Sequence, residues 1–184
     1  AGYSLKGSTP ERASCYYSLT RLKTDGVLTV GGRKTAVRGF SWMDHEFSTA
    51  PLEPGIIGWD WFSLQLSDQT EIMLYLLRKE QGRFSPVSSG TFIDGSGRPH
   101  HLAKDDFKVD VLDTWQSPRS RAVYPVHWRL TVFPLAIELT AKANILDQEM
   151  QTQATTGVTY WEGSISIKGS VGKYPVKGWG YAEL

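Results

Sequence analysis

The chain has 184 residues, with 20 Lys and Arg against 19 Asp and Glu and a net charge of +1. It is long enough to bury a core without disulfide support. The near-neutral balance, with Arg33-Lys34, Arg119 and Arg121 scattered rather than clustered, excludes an electrostatic footprint for nucleic acid. No run approaches the ~18 consecutive apolar residues of a spanning helix. The single cysteine, Cys15, excludes an internal disulfide and a Cys-based structural zinc site.

Strand-like runs follow one another from the start. Ala13 to Leu22 is closed by Asp25-Gly26; Val27 to Val30 and Thr35 to Phe40 flank Gly31-Gly32, a two-residue hairpin signal. After the Pro51 to Gly55 loop come Ile56 to Leu66 and Thr70 to Lys79, separated by Ser67-Asp68-Gln69. Val87 to Asp94, Phe107 to Trp115, Val123 to Phe133, Leu135 to Ala143, Thr155 to Lys168 and Pro175 to Leu184 complete the series. About ten strands at this spacing, rich in aromatic residues (seven Trp, eight Tyr and seven Phe), predict an antiparallel barrel or sandwich. The only helix candidate is the short polar stretch Asn144 to Thr152. No repeat or linker divides the chain, so a single domain over 1–184 is expected, with no charged-then-apolar leader at its start.

The two-residue period carries further information. In Thr70 to Lys79 both faces are apolar: Ile72, Leu74 and Leu76 on one, Met73, Tyr75 and Leu77 on the other. Ile56 to Leu66 sets Trp59, Trp61, Ser63 and Gln65 against Asp60, Phe62, Leu64 and Leu66. Strands covered on both sides fit a second layer or a barrel that packs on something outside it. A barrel of about eight strands can enclose one small apolar ligand.

Carboxylates among these aromatics are the candidate chemistry. In Trp42-Met43-Asp44-His45-Glu46-Phe47, extended backbone puts Trp42, Asp44 and Glu46 on one face and Met43, His45 and Phe47 on the other. If buried together, at least one acid would stay protonated at neutral pH; the plainer alternative is a solvated acidic rim with His45 bonded to backbone. Periodicity places Asp60 on an apolar surface, where it is either an acid ready for proton transfer or the partner of an arginine such as Arg78 or Arg129. Glu162 alternates with Ser164 and Ser166 and is expected to face solvent or a polar cavity. His100-His101 follow Gly97-Arg98-Pro99 and read as loop. With no His pair at ligand spacing, no metal site and no cofactor is expected.

Taken in order, the aromatic-rich segments resemble a known family. They are Tyr16-Tyr17-Ser18-Leu19-Thr20-Arg21-Leu22, Gly39 to Glu46, Gly58-Trp59-Asp60-Trp61-Phe62-Ser63-Leu64-Gln65-Leu66 and Met73 to Arg78. They continue with Trp115-Gln116-Ser117-Pro118, Tyr124-Pro125-Val126-His127-Trp128, Tyr160-Trp161-Glu162-Gly163 and Gly180 to Leu184. Together these resemble the AttH-like, CrtC-type proteins, the lipocalin-like carotenoid 1,2-hydratases (hydroxyneurosporene synthases) and their relatives.

The resemblance implies an all-β, antiparallel lipocalin-like β-barrel, this chain being the C-terminal one of a tandem pair. It also implies a cofactor-independent hydro-lyase or related cyclase acting on a C=C bond of an apolar isoprenoid or polyene. The partners it implies are that apolar ligand and the N-terminal barrel of the same protein, at the periplasm or cell envelope and in peripheral contact with a membrane. The hydratase branch carries an aromatic-x-Asp motif that maps onto Trp42 and Asp44, whereas His45-Glu46 follows the broader AttH-like pattern. Hydration of an unactivated alkene needs a desolvated proton donor, and aromatic faces stabilise the developing cation by ~1–2 kcal/mol each. On this reading Asp44 donates the proton and Trp42 stabilises the cation. Asp60, His45 or Glu46 positions or deprotonates water, and Trp59, Trp61 and Tyr75 form the wall. Three alternatives stay open: a non-catalytic carrier of an apolar ligand, a carbohydrate-active protein with paired acids, and a structural partner of a catalytic second barrel.

Overall fold

The alternating and turn-forming residues resolve into strands throughout the computed structural model, which describes residues 2–49 and 52–184. Two compact units divide the chain, Ala1–Leu52 and Glu53–Leu184.

The first unit is a three-stranded antiparallel sheet of β1 (Tyr3–Leu5), β2 (Ala13–Val30) and β3 (Arg33–Phe47), in that spatial order. Gly31 and Gly32 form the expected turn with φ of 55° and 78°, the left-handed values a tight hairpin needs. The Asp25-Gly26 break does not occur. Asp25 faces Arg38 across the ladder and accepts a hydrogen bond from its Nε at 2.7 Å, so the two runs expected on either side fuse into β2. A register shift between Leu19 and Leu22 is the one irregularity of this ribbon. Pro51 of the expected loop lies outside the described residues.

The second unit holds β4 (Ile56–Leu66), β5 (Glu71–Lys79), β6 (Ser89–Ile93), β7 (Pro99–Ala103) and β8 (Phe107–Gln116). These continue with β9 (Val123–Val132), β10 (Ile137–Ala143), β11 (Glu149–Gln151), β12 (Thr159–Val171) and β13 (Tyr174–Glu183). The main path is β7-β6-β5-β4-β13-β12-β10-β9-β8, antiparallel throughout, with β11 added on β12. This is the all-β, antiparallel arrangement that the strand pattern predicts, in the lipocalin-like class that the family resemblance implies. The expected helix over Asn144 to Thr152 is absent: the segment ends in β11, where the buried Glu149 is tied to its surroundings by side-chain hydrogen bonds. His100 and His101 lie in β7 rather than in a loop, paired with Phe92 and Thr91.

Alternation along these strands drives one face into a common core. Phe62, Leu64, Ile72, Leu74, Trp128, Leu130, Trp161 and Ile165 are each 1% exposed or less. Phe62 meets Trp128 edge-on at 5.5 Å, and Trp128 meets Trp161 at 6.1 Å. Complete burial of each such side chain contributes about 1.5–3 kcal/mol, so the interior is a packed core of side chains. β5 is buried on both faces, as its pattern predicts, with Glu71 and Tyr75 covered as well as Ile72 and Leu74. β4 is buried on its Phe62 and Leu64 face and only at Ser63 on the other, where Trp59 is exposed.

Tight approach of β13 to β4 depends on missing side chains. A Cβ at Gly180 would stand 2.3 Å from the Ser63 carbonyl oxygen and 3.1 Å from Ile167 and Leu64 methyl carbons. Backbone cannot yield there as a flexible side chain would. Gly180→Ala is expected to destabilise the second unit by about 3 kcal/mol, read as a lowered urea midpoint; an unchanged midpoint would show that β13 has room to move.

Candidate functional site

In the first unit, β3 presents Trp42, Asp44 and Glu46 on one face, facing Ser18, Tyr16 and Ser14 of β2. Register sets Asp44 opposite Ser18 and Glu46 opposite Tyr16. Three donors converge on Asp44: Tyr16 Oη on Oδ2 at 2.8 Å, Ser18 Oγ on Oδ1 at 2.5 Å, and Trp42 Nε1 on Oδ1 at 2.7 Å. Glu46 accepts from Ser14 Oγ and pairs with Lys6 Nζ at 2.6 Å. Burial lowers the Lys6 pKa, and the Glu46 carboxylate only partly offsets that.

His45 projects from the opposite face. Its Nδ1 lies 3.0 Å from Tyr17 Oη, and its ring packs edge-on against Tyr17 and at a tilt against Phe47. The faces are those that alternation dictates, but the environment differs from a desolvated pocket. Asp44, His45 and Glu46 are exposed and Trp42 is half-buried. Tyr16, Ser18 and Trp42 meet the acid with polar hydrogens, so Asp44 sits in an exposed, donor-lined cradle rather than against oily surface.

In the second unit, alternation along β4 sends Asp60 inward with Phe62 and Leu64, and Trp59 and Trp61 outward. Asp60 is 8% exposed, with Leu76 directly across the ladder. Its Oδ1 accepts a hydrogen bond from Arg78 Nη1 at 2.7 Å. The guanidinium lies over the bare Cα of Gly58, where a Cβ would come within 2.6 Å of Nη2. Arg78 is therefore the arginine partner, and Arg129 stands on the outer face of the sheet. Even so paired, Asp60 is a weak acid: burial pushes its pKa up to about 6, and the charge and hydrogen bond of Arg78 only partly counter that. Of the two settings the sequence leaves open for Asp60, the structure shows the arginine-paired one, with Arg78 as the partner.

The aromatic residues expected beside Asp60 belong to the other side of the sheet. One row runs Glu162, Glu183, Trp61 and Tyr75 across β12, β13, β4 and β5, each directly opposite the next. Trp59 Nε1 donates to Glu183 Oε1 at 3.0 Å. The Tyr160 and Tyr181 phenols are pushed up by burial and then by the Glu162 and Glu183 charges, which keeps them protonated donors. Sequence reasoning named Glu162 but set it toward solvent or a polar cavity, and did not single out Glu183; only the β12–β13–β4 register reveals the row.

A second buried acid provides the contrast. Glu149 receives Ser117 Oγ at 2.9 Å, Tyr124 Oη at 3.1 Å, Gln151 Nε2 at 3.1 Å and the Ser120 hydroxyl. Burial opposes its ionisation, but these donors outweigh burial and hold its carboxyl down at about 2. It pins the Trp115-Gln116-Ser117-Pro118 turn to β11, a structural task. Asp60, with one partner and an apolar face, is shifted the other way.

Comparison with known proteins places the chain among relatives. The profile of the AttH-like family matches residues 1–184. Kievitone hydratase of Fusarium solani subsp. phaseoli is 24% identical over 174 residues, covering 91% of this chain and 48% of that protein. A protein of Nitrosomonas europaea assigned as AttH has a crystal structure that superposes with a TM-score of 0.89 at 32% identity, covering 100% of this chain and 55% of that one. The crystal structure of kievitone hydratase from Nectria haematococca shares the fold, with a TM-score of 0.77 at 23% identity and the same coverage. The chain thus spans about half the length of these relatives.

Asp60 and Glu149 make opposite contributions to stability. With Asp60 raised from 3.8 to about 6, the folded chain binds that proton more tightly than the unfolded one. Its contribution is therefore full below pH 4 and lost as pH rises through about 6, on the order of 2–3 kcal/mol. Glu149 is depressed, so its contribution is present above its ordinary pKa and lost as pH falls toward about 2. Denaturant titrations across pH should show the Asp60 decline in the parent and not in Asp60→Asn. An identical slope in both would show that Asp60 keeps ordinary acidity.

Proposed function

Because the chain belongs to the AttH-like family, we propose that it carries the acid of a cofactor-independent hydratase, one that adds water across a C=C bond of an apolar isoprenoid or carotenoid-type polyene. The observation that carries this reading is Asp60: a carboxyl buried on an apolar strand face, hydrogen-bonded by Arg78, with its pKa raised by burial to about 6. At neutral pH a minor but usable fraction of such a group is protonated, which suits a general acid. The relationship to a protein named as a hydratase supports the reaction class.

The step balances simply. The Asp60 hydroxyl proton passes to the less substituted alkene carbon, leaving a carbocation on the more substituted one. Water adds there, and the resulting oxonium returns its proton to the Asp60 carboxylate, which regenerates the acid. Arg78 stabilises the Asp60 carboxylate as it forms, at 2.7 Å from Oδ1. Trp59, Trp61 and Tyr75, expected as wall residues, stand on the opposite face of the sheet from Asp60, so the proposal rests on Asp60 and Arg78. Asp44, His45 and Glu46 belong to the first unit, and the proposal assigns them no step. The wider reading, in which this is the C-terminal of two lipocalin-like barrels, accords with its spanning half the length of its relatives. An enclosing carrier is the weaker alternative, since Trp128 and Trp161 fill the interior.

Incubation with an acyclic polyene in heavy water tests the proposal by deuterium incorporation at carbon. Asp60→Asn is expected to lower turnover at least ~100-fold, and the parent rate to fall as pH rises above about 6. Deuterium uptake by Asp60→Asn at the parent rate, or a rate that climbs through that range, would sink it.

A further inference from the structure

The outer face of β9, β10, β12 and β13 concentrates charge that the overall composition hides. Strand alternation turns Leu130, Leu139, Ala141, Ile167 and Val176 into the core and their neighbours outward. Arg129 then stands opposite Thr140, Thr140 opposite Lys168, and Lys168 opposite Lys177, a single row across four adjacent strands. At about 4.8 Å per strand the row spans about 14 Å. Lys142 lies one position further along β10, beside Ser166, whose other neighbour is Trp179. Among the described residues none of Arg129, Lys142, Lys168 and Lys177 forms an ion pair. Asp110 of β8, paired with Lys108, stands opposite Arg129, so the local excess of this face is carried by Lys142, Lys168 and Lys177.

Two features say what such a face is for. Lysines directly opposite one another destabilise a ladder, and the core residues behind them prevent a register slip that would separate them. Beside the row an open groove of about 640 Å³ is lined by Arg129, Lys168 and Lys177, with Leu139 and Val176 at its floor and one opposing carboxylate, Glu138. Two aromatics continue the outward face of β13 beyond Lys177: Trp179 is 68% exposed and Tyr181 40% exposed. Exposed indole and phenol rings next to unpaired lysines are the composition of a bilayer interface, where the rings settle at headgroup depth and the cations meet anionic lipid. A small soluble anion would use the cations and leave the rings without a task.

We propose that this face docks on the surface of an anionic phospholipid bilayer, with a headgroup phosphate held in the groove between Arg129, Lys168 and Lys177 and with Trp179 inserted beside it. No described helix is long and apolar enough to cross a membrane, and the attachment is to the surface. It is independent of the hydration chemistry.

Co-sedimentation of the protein with vesicles of phosphatidylcholine alone, and with vesicles that also contain phosphatidylglycerol, provides the test. Binding is expected only to the anionic vesicles, weakened by salt, and reduced about 30-fold by Lys168→Gln with Lys177→Gln, at about 1 kcal/mol for each lysine. Trp179→Ala is expected to weaken it further. The equal-charge control Lys23→Gln with Lys34→Gln, on the first unit, should bind as the parent does. Equal binding to both vesicle types, or equal loss in the control, would overturn the proposal. So would thermal stabilisation by inorganic phosphate at constant ionic strength without vesicle binding, which would make the groove a site for a free anion.

Discussion

The two-residue period of an extended strand, locked by a packed core, governs everything else in the second unit. Once Phe62, Trp128 and Trp161 interlock, no strand among β4, β9 and β12 can slip by one residue without turning its core residues out to solvent. That constraint decides the surroundings of every charged side chain between them. It forces Asp60 into apolar company one residue away from Trp59 and Trp61, which face outward. It aligns Glu162 with Glu183, and it holds Arg129, Lys168 and Lys177 in a single outer row.

Electrostatic outcomes follow from what each side chain meets. Asp44, Asp60 and Glu149 are all carboxylates, yet they occupy three distinct settings. Asp44 collects three donors in an exposed ribbon. Glu149 is sealed away but surrounded by hydroxyls and an amide, so ionisation costs little. Asp60 has a single guanidinium partner and apolar surface around it, and its proton is correspondingly harder to remove. Burial alone does not make an acid; burial with too few donors does.

Much of this architecture is legible in the chain. Gly31-Gly32 marks the hairpin because only those residues take its left-handed angles without strain. The doubly apolar pattern of Thr70 to Lys79 announces a strand buried on both sides. Alternation also sorts Trp42, Asp44 and Glu46 from His45. Other readings miss for reasons outside local pattern. Asp25-Gly26 reads as a stop, but Arg38, thirteen residues further along the chain, holds it in the ladder. Asn144 to Thr152 is polar enough for a short helix, but Glu149 is claimed by Ser117, Ser120 and Tyr124.

The sequence by itself determined the fold class, the family and the face on which each candidate side chain stands, because these depend on residue type and a spacing of two. Tertiary structure alone decided exposure and partnership: that Asp44 is exposed, that Asp60 meets Arg78, that Glu183 lies beside Trp61, and that lysines scattered along a nearly neutral chain form a row. Exposure and pairing depend on which strands become neighbours and in what register. Those choices are made by the sum of all core contacts, so no single segment encodes them.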